Sequence, residues 1–260
     1  MVKRPVSLIY LCLIFVFLYA PIAVLIVFSF NATRSTYSWG GFSLEWYRAL
    51  FQDRQIMRAL YYTVLVASLS AVISAVAGTA AAVGIHRMKA RIRRIFLALN
   101  NVPVLNPDIV TGISLMALFT ALHLRLGFGS LLLSHITFSI PYVVLCILPK
   151  LRQLPAEVTE AAMDLGATPL YAFYRVVIPE IAPGIFTGLL IAFTLSIDDF
   201  VISFFTTGSG VNNLSIVVYS MARRGINPKI NAVSTLLFAA VFILLLIINK
   251  RDAAAKQLEV

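Results

Sequence analysis

Six stretches of this chain are apolar over lengths that a membrane demands: residues 8–30, 59–85, 108–124, 128–149, 183–207 and 230–249. A helix needs about 20 such residues to cross the hydrocarbon core. Four of the runs hold no Asp, Glu, Lys or Arg; the third and fifth each carry acidic residues. Of the 260 residues, 60% are apolar and 12% charged. A soluble domain of this size carries about twice that share of charge. Too little polar surface remains to face water on all sides. The expected class is an all-α membrane protein with six transmembrane helices, forming one domain over residues 1–260. The uncharged run 5–33 is longer than a signal-peptide core and reads as a retained first span.

Lys and Arg set the orientation. Thirteen of the 21 fall on one side, including Arg87, Lys89, Arg91, Arg93 and Arg94 within eight residues, and Lys3 and Arg4 at the start. The other side holds Arg34, Arg48, Arg54, Arg58, Arg125, Arg223, Arg224 and Lys229. The positive-inside rule then places both termini in the cytoplasm. The net charge of +10 is spread over interhelical segments, which does not make a nucleic-acid patch. Cys12 and Cys146 lie inside apolar runs, spaced for neither zinc nor a redox pair, and read as small hydrophobes. No metal site is expected.

Residues 150–182 are too polar to span. Pro155 suits a helix start, Glu157 and Glu160 favour its early turns, and Gly166 suits the left-handed residue that closes it. A second segment, 169–178, is expected to end at Pro179. The order of residues here is Glu160-Ala161-Ala162-Met163-Asp164-Leu165-Gly166, then Ile178-Pro179. This resembles the EAA loop of the membrane subunits of binding-protein-dependent ABC importers. Two alanines and a glycine leave the helix thin enough to press into a groove of another protein, and Glu160 offers a carboxylate. The resemblance implies a type I importer permease fold with a cytoplasmic coupling helix docking on a separate ATPase. No G-x-x-x-x-G-K-[ST] motif occurs, so the usual phosphate cradle is missing from this chain. The chain is expected to be no enzyme, to have no catalytic residue and to need no cofactor, with ATP and Mg on the partner.

Three acids fall within apolar runs: Asp108, Asp198 and Asp199. Intramembrane carboxylates cost at least about 2.5–3.5 kcal/mol and usually face a cavity or a partner. With Tyr142, Phe200, Phe204 and Tyr219 they suit an elongated organic cation, through charge and cation–π contact. Each has a plainer alternative. Asn106-Pro107-Asp108 also reads as a helix start, with Asn106 as cap. Asp198 and Asp199 lie about 100° apart on a helix. Asp199 shares a face with Ser196 and Ser203, which can satisfy it; Asp198 has only Thr194, so it is preferred for the pathway. Tyr219 suits an outer mouth or an interfacial aromatic belt. His135 reads as a buried neutral histidine rather than a proton relay.

Further strings narrow the resemblance: Tyr19-Ala20-Pro21, Phe28-Ser29-Phe30-Asn31, Trp46-Tyr47, Pro107-Asp108-Ile109-Val110, Ser134-His135-Ile136-Thr137-Phe138, Ser196-Ile197-Asp198-Asp199 and Asn227-Pro228-Lys229-Ile230-Asn231-Ala232. Together they resemble the PotC-type permeases of spermidine/putrescine importers. That resemblance implies a bacterial inner-membrane complex with a homologous PotB-type permease, an ATPase dimer and an extracytoplasmic polyamine-binding protein. It leaves spermidine and putrescine both open. Two alternatives also stand open: an importer permease for another cationic solute, and a single-chain secondary transporter relaying protons or cations through Asp108, Asp198 and His135.

Overall fold

In lipid every backbone polar group must find its partner inside its own segment, so spanning chain becomes helix. The computed structural model follows that rule over residues 4–35, 38–224 and 228–257, the residues described below. Lys3 and Asn227, invoked above, lie outside them. The order is α1 (Arg4–Ser29), α2 (Glu45–Gln52), α3 (Arg54–Arg87), α4 (Ala90–Leu105), α5 (Asp108–Ala121), α6 (Phe128–Gln153), α7 (Ala156–Asp164), α8 (Pro169–Ala172), a π turn (Phe173–Val177), α9 (Ile178–Asp198), α10 (Val201–Thr206), α11 (Leu214–Arg223) and α12 (Pro228–Gln257). Four described stretches are long and apolar enough to cross a membrane: Tyr10–Ser29, Arg54–Arg87, Phe128–Gln153 and Pro169–Asp198. A fifth arises if α4 and α5 count as one span, and α12 adds the apolar stretch Pro228–Ile243.

Three expectations change. The run at 108–124 is no straight span: α5 has 14 residues, about 21 Å of rise, and joins α4 at a bend of 105°. Proline is the cause, because Pro107 pushes Asn106 into extended backbone (φ −76°, ψ 142°) and stops α4 there. The sequence reading missed α4 because its first turns are basic. Pro179 does not end the segment before it; the helix passes from the π turn directly into α9. A proline ring clashes with the carbonyl four residues back, and the wider π turn relieves that clash. Finally, the run at 183–207 breaks after Asp198, and α10 begins only at Val201.

The fold divides into two units. One comprises Met1–Arg58 with Val217–Ile247. In it, Asn31 organises the loop after α1: its amide donates to Ser35 O (3.0 Å) and Ser38 O (2.8 Å), and its oxygen accepts from Gly40 N (2.8 Å). Trp46 Nε1 donates to Asn31 O at 2.7 Å, seating α2 against the loop. Asp53 begins α3 by accepting from the Gln55 and Ile56 N–H groups, and Lys229 of α12 donates to it at 3.0 Å. Burial raises the Asp53 carboxyl, yet the Lys229 bond and charge and the two backbone donors outweigh it and hold the group below the ordinary 3.8.

The other unit comprises Ala59–Ile216 with Ile248–Val260. Its centre is α6 against α9, around Val143, Val144, Ile147, Ile181 and Ala192. Gly184 and Gly188, one turn apart on α9, permit that approach. A Cβ on Gly184 would stand 3.0 Å from Cys146 O, and one on Gly188 3.2 Å from Val143 Cα. Both obstacles are backbone, which cannot rotate away. In a bilayer, where apolar burial drives little helix association, small residues at the contact are what allow close packing.

Candidate functional site

The break between α9 and α10 places two adjacent carboxylates in opposite circumstances. Asp199 is extended (φ −64°, ψ 123°), so its side chain turns back over the start of α10. One oxygen accepts from Ile202 N at 3.1 Å and the other from Ser203 N at 2.7 Å. Asn213 donates to the Asp199 carbonyl at 3.1 Å, satisfying a group the broken ladder leaves open. The Asp199 side chain is only 6% exposed. Asp198, the last residue of α9, is exposed and finds no hydrogen-bond or ion-pair partner among the described residues. Phe200 follows, its ring 5.5 Å from that of Phe204.

Behind the break stands His135 of α6, 2% exposed. Its Nδ1 lies 2.6 Å from Ser196 Oγ on α9 and its Nε2 2.9 Å from Ser203 Oγ on α10. Ser70 of α3 donates to Ser196 Oγ at 3.2 Å. Asp199 Oδ2 is 3.6 Å from Nε2, too far for a direct bond. The two serine hydroxyls read from sequence as partners of Asp199 therefore serve His135, and backbone N–H groups serve Asp199. His135 matches the buried, hydrogen-bonded reading. Its bridging of α9 and α10 was out of sight, because nothing in the spacing shows that the helix breaks between Ser196 and Ser203.

Asp108 sits in the first turn of α5 and is exposed. The N-cap position falls on Pro107, and Asn106, expected to cap, makes no such bond. Tyr142 of α6 packs its ring edge-on against Phe138 at 5.4 Å. Tyr219 belongs to the first unit; it is 42% exposed, with the Arg223 guanidinium 6.0 Å above its ring. Of the expected pathway residues, Asp198 to Phe200 lie together at the break, Asp108 starts α5, Tyr142 stands on α6 and Tyr219 belongs to the other unit.

Toward the opposite end of α6 the chain turns into α7. Glu160, Ala161 and Asp164 are exposed and Ala162 is half-buried. The helix closes with Gly166 N donating to Met163 O (2.9 Å) and Ala167 N to Ala162 O (3.1 Å). Gly166 takes φ +89°, the left-handed residue of a Schellman motif. Leu165 is left 91% exposed at the tip. Beneath α7 lies a cavity of about 280 Å³, lined among others by His86, Arg87, Leu151, Thr159, Glu160 and Met163. Pro179 lies apart from this turn, at the start of α9.

Comparison with known proteins gives a consistent set. Residues 74–254 match the family of binding-protein-dependent transport system inner membrane components. The putrescine transport system permease protein PotI of Escherichia coli K12 is 40% identical over 247 residues, 92% of this chain and 88% of its own length. The spermidine/putrescine transport system permease protein PotC of the same strain is 38% identical, over 86% of this chain and 85% of its own. PotC of Haemophilus influenzae is 34% identical, with 88% and 89% covered. Among solved structures, a bacterial ABC transporter that imports the acidic polysaccharide alginate superposes with a TM-score of 0.75 at 15% identity, over 96% of this chain and 98% of that one. The methionine ABC transporter MetNI, in an inward-facing conformation, gives 0.65 at 18% identity, over 76% and 95%. At those identities the two structures speak for the fold, that of an ABC importer permease.

Proposed function

The chain belongs to the binding-protein-dependent transport system inner membrane components, and from that premise we propose that it carries a polyamine across the membrane for an ATP-driven importer. It is a permease and no enzyme; hydrolysis belongs to a separate ATPase subunit. Its companions in such a system are a binding protein, an ATPase and a second permease. In the present reading these are a PotB-type permease, an ATPase dimer holding ATP and Mg, and an extracytoplasmic polyamine-binding protein. Both termini lie in the cytoplasm, as the Arg87–Arg94 charges favour.

One observation supports a cationic cargo above the rest. At the α9–α10 break Asp199 is satisfied by backbone, whereas Asp198 is exposed at the end of an apolar span. An acid so placed needs a cavity or a cation. Asp108, Tyr142 and Phe200 supply further charge and ring faces, Tyr219 remains a candidate within its own unit, and the names of the relatives at 38–40% identity point to the same cargo. Glu160, Ala161, Ala162, Asp164 and Gly166 form the surface on which the ATPase presses, and Pro179 starts the span that receives the motion. ATP closes the ATPase dimer, α7 moves with it, and the π turn hands that movement to α9. The polyamine passes from its binding protein to Asp198 and on to the cytoplasm.

The test is co-purification with the partner subunits, followed by ATP hydrolysis with the binding protein loaded with putrescine or with spermidine. Stimulation by a loaded binding protein supports the reading. Indifference to both polyamines, with stimulation by an anionic or neutral solute, removes the cargo assignment.

A further inference from the structure

We propose that His135 is a positioning residue of the cation pathway: it holds α9 and α10 bent against one another, so that Asp199 is turned inward and Asp198 outward. The proposal rests on Asp198 being a pathway carboxylate, and its test separates the two.

A broken span is a weak point, since backbone groups left open in lipid are costly. Asp199 and Asn213 close those groups, but both belong to the chain segment that forms the break. They shape it without fixing it to the rest of the unit. Ser130 of α6 ties down α10 through Thr206 O at 2.7 Å, and Ser70 of α3 reaches α9. Among the described residues, His135 is the side chain that bonds both sides, with Ser196 before the break and Ser203 after it.

The spacing makes that grip conditional on the bend. Ser196 and Ser203 are seven residues apart, which in an unbroken helix is about 10.5 Å of rise. That distance exceeds what one rigid imidazole with bonds of 2.6 and 2.9 Å can bridge. Both bonds form where the helix breaks at Asp199 and α10 no longer continues α9. His135 thus selects the bent backbone over the straight one.

The contacts are consistent with one neutral ring: with the proton on Nε2, that N–H donates to Ser203 Oγ, and Nδ1 accepts from Ser196 Oγ. Ser70 Oγ stands 3.2 Å from Ser196 Oγ and equally near the Ala67 carbonyl. The contacts run from α3 through α9 and α6 to α10. A polar network with every member satisfied in a low-dielectric interior specifies a single arrangement. Because each Asp199 oxygen already accepts a backbone N–H and its side chain is 6% exposed, the exposed Asp198 is the acid of the pair left for a cation.

The experiment uses the complete complex in proteoliposomes and reads putrescine or spermidine moved per ATP hydrolysed. His135→Phe keeps a ring and removes both bonds; His135→Gln keeps an amide donor on the Nε2 side. The ratio is expected to fall roughly tenfold in His135→Phe, the effect of two neutral hydrogen bonds, and to recover by at least half in His135→Gln. A loss that His135→Gln does not recover means a packing role alone and overturns the proposal. Asp198→Asn is measured alongside. If it lowers the ratio while His135→Phe does not, the positioning proposal is overturned and the pathway reading stands. If Asp198→Asn leaves the ratio unchanged, the pathway reading falls and takes the proposal with it. Should His135→Phe fail to assemble, Ser203→Ala removes one bond with less disturbance; a severalfold fall supports the proposal and an unchanged ratio overturns it.

Discussion

His135 Nδ1 meets Ser196 Oγ at 2.6 Å across 61 residues of sequence, joining the middle of one span to the last turn of another. The end of α9 is thereby anchored within the unit, and the two aspartates there differ in surroundings, Asp198 exposed and Asp199 bonded to backbone.

Asp198 and Asp199 should differ in what substitution does to stability. Asp199→Ala strips the Ile202 and Ser203 N–H groups of their acceptor, which costs about 1 kcal/mol or more in stability. Asp198→Ala loses no bond and should leave the melting temperature of the purified complex within experimental scatter. Uptake should fall in both, but a lowered melting temperature should accompany it only in Asp199→Ala.

Gly184→Leu should separate α6 from α9. Its Cβ alone would stand 3.0 Å from a carbonyl oxygen that cannot move aside. Overpacking of this kind costs typically 1–3 kcal/mol. Thermal unfolding in detergent should show the loss, with a reduced yield of assembled complex. Leu at Gly129, where nothing lies within 4 Å of the added carbon, serves as the control.

Glu160→Ala should leave the fold intact, because the side chain is exposed at the surface of α7. If Glu160 offers its charge to the ATPase, losing one charged hydrogen bond at about 1.5–3 kcal/mol lowers uptake by roughly tenfold or more. Hydrolysis should no longer respond to the loaded binding protein. The pull-down of ATPase by permease, compared between the two forms, locates the loss.

The Asp53–Lys229 pair gives a pH signature. Its carboxyl is held below 3.8 in the fold, so the pair contributes stability at pH above 3.8 and loses it as pH falls through the depressed value. The side chains are 28% and 26% exposed, and screening keeps the contribution under about 1 kcal/mol. Asp53→Asn should therefore be less stable than the parent at neutral pH and indistinguishable from it in acid, as melting curves across that range would show.

Much of this architecture was legible in the residues. Of the six expected spans, hydropathy located four that the described residues show as long apolar helices, because lipid leaves the backbone no alternative to helix. Gly166 was readable as a helix stop because only a left-handed residue closes α7 in that way. What stayed hidden were breaks inside apolar runs. Asn106-Pro107 looked like the start of a span and is the corner between α4 and α5; Pro179 looked like a stop and is absorbed by a π turn. Asp199 was matched with Ser196 and Ser203 on the premise of a continuous helix, and that premise fails at Asp199 itself. Composition cannot reveal such breaks, since an aspartate that caps a new helix with the next N–H groups reads the same in sequence as one inside a continuous span.

The account turns on whether this chain moves a polyamine at the expense of ATP hydrolysed by a partner. Uptake of labelled putrescine and spermidine should be measured in proteoliposomes holding the complete complex, with ATP inside and loaded binding protein outside. The account predicts accumulation that requires ATP, the ATPase and the binding protein, and that persists when an ionophore collapses the proton gradient. Accumulation by this chain alone, driven by the gradient and indifferent to ATP, would contradict it.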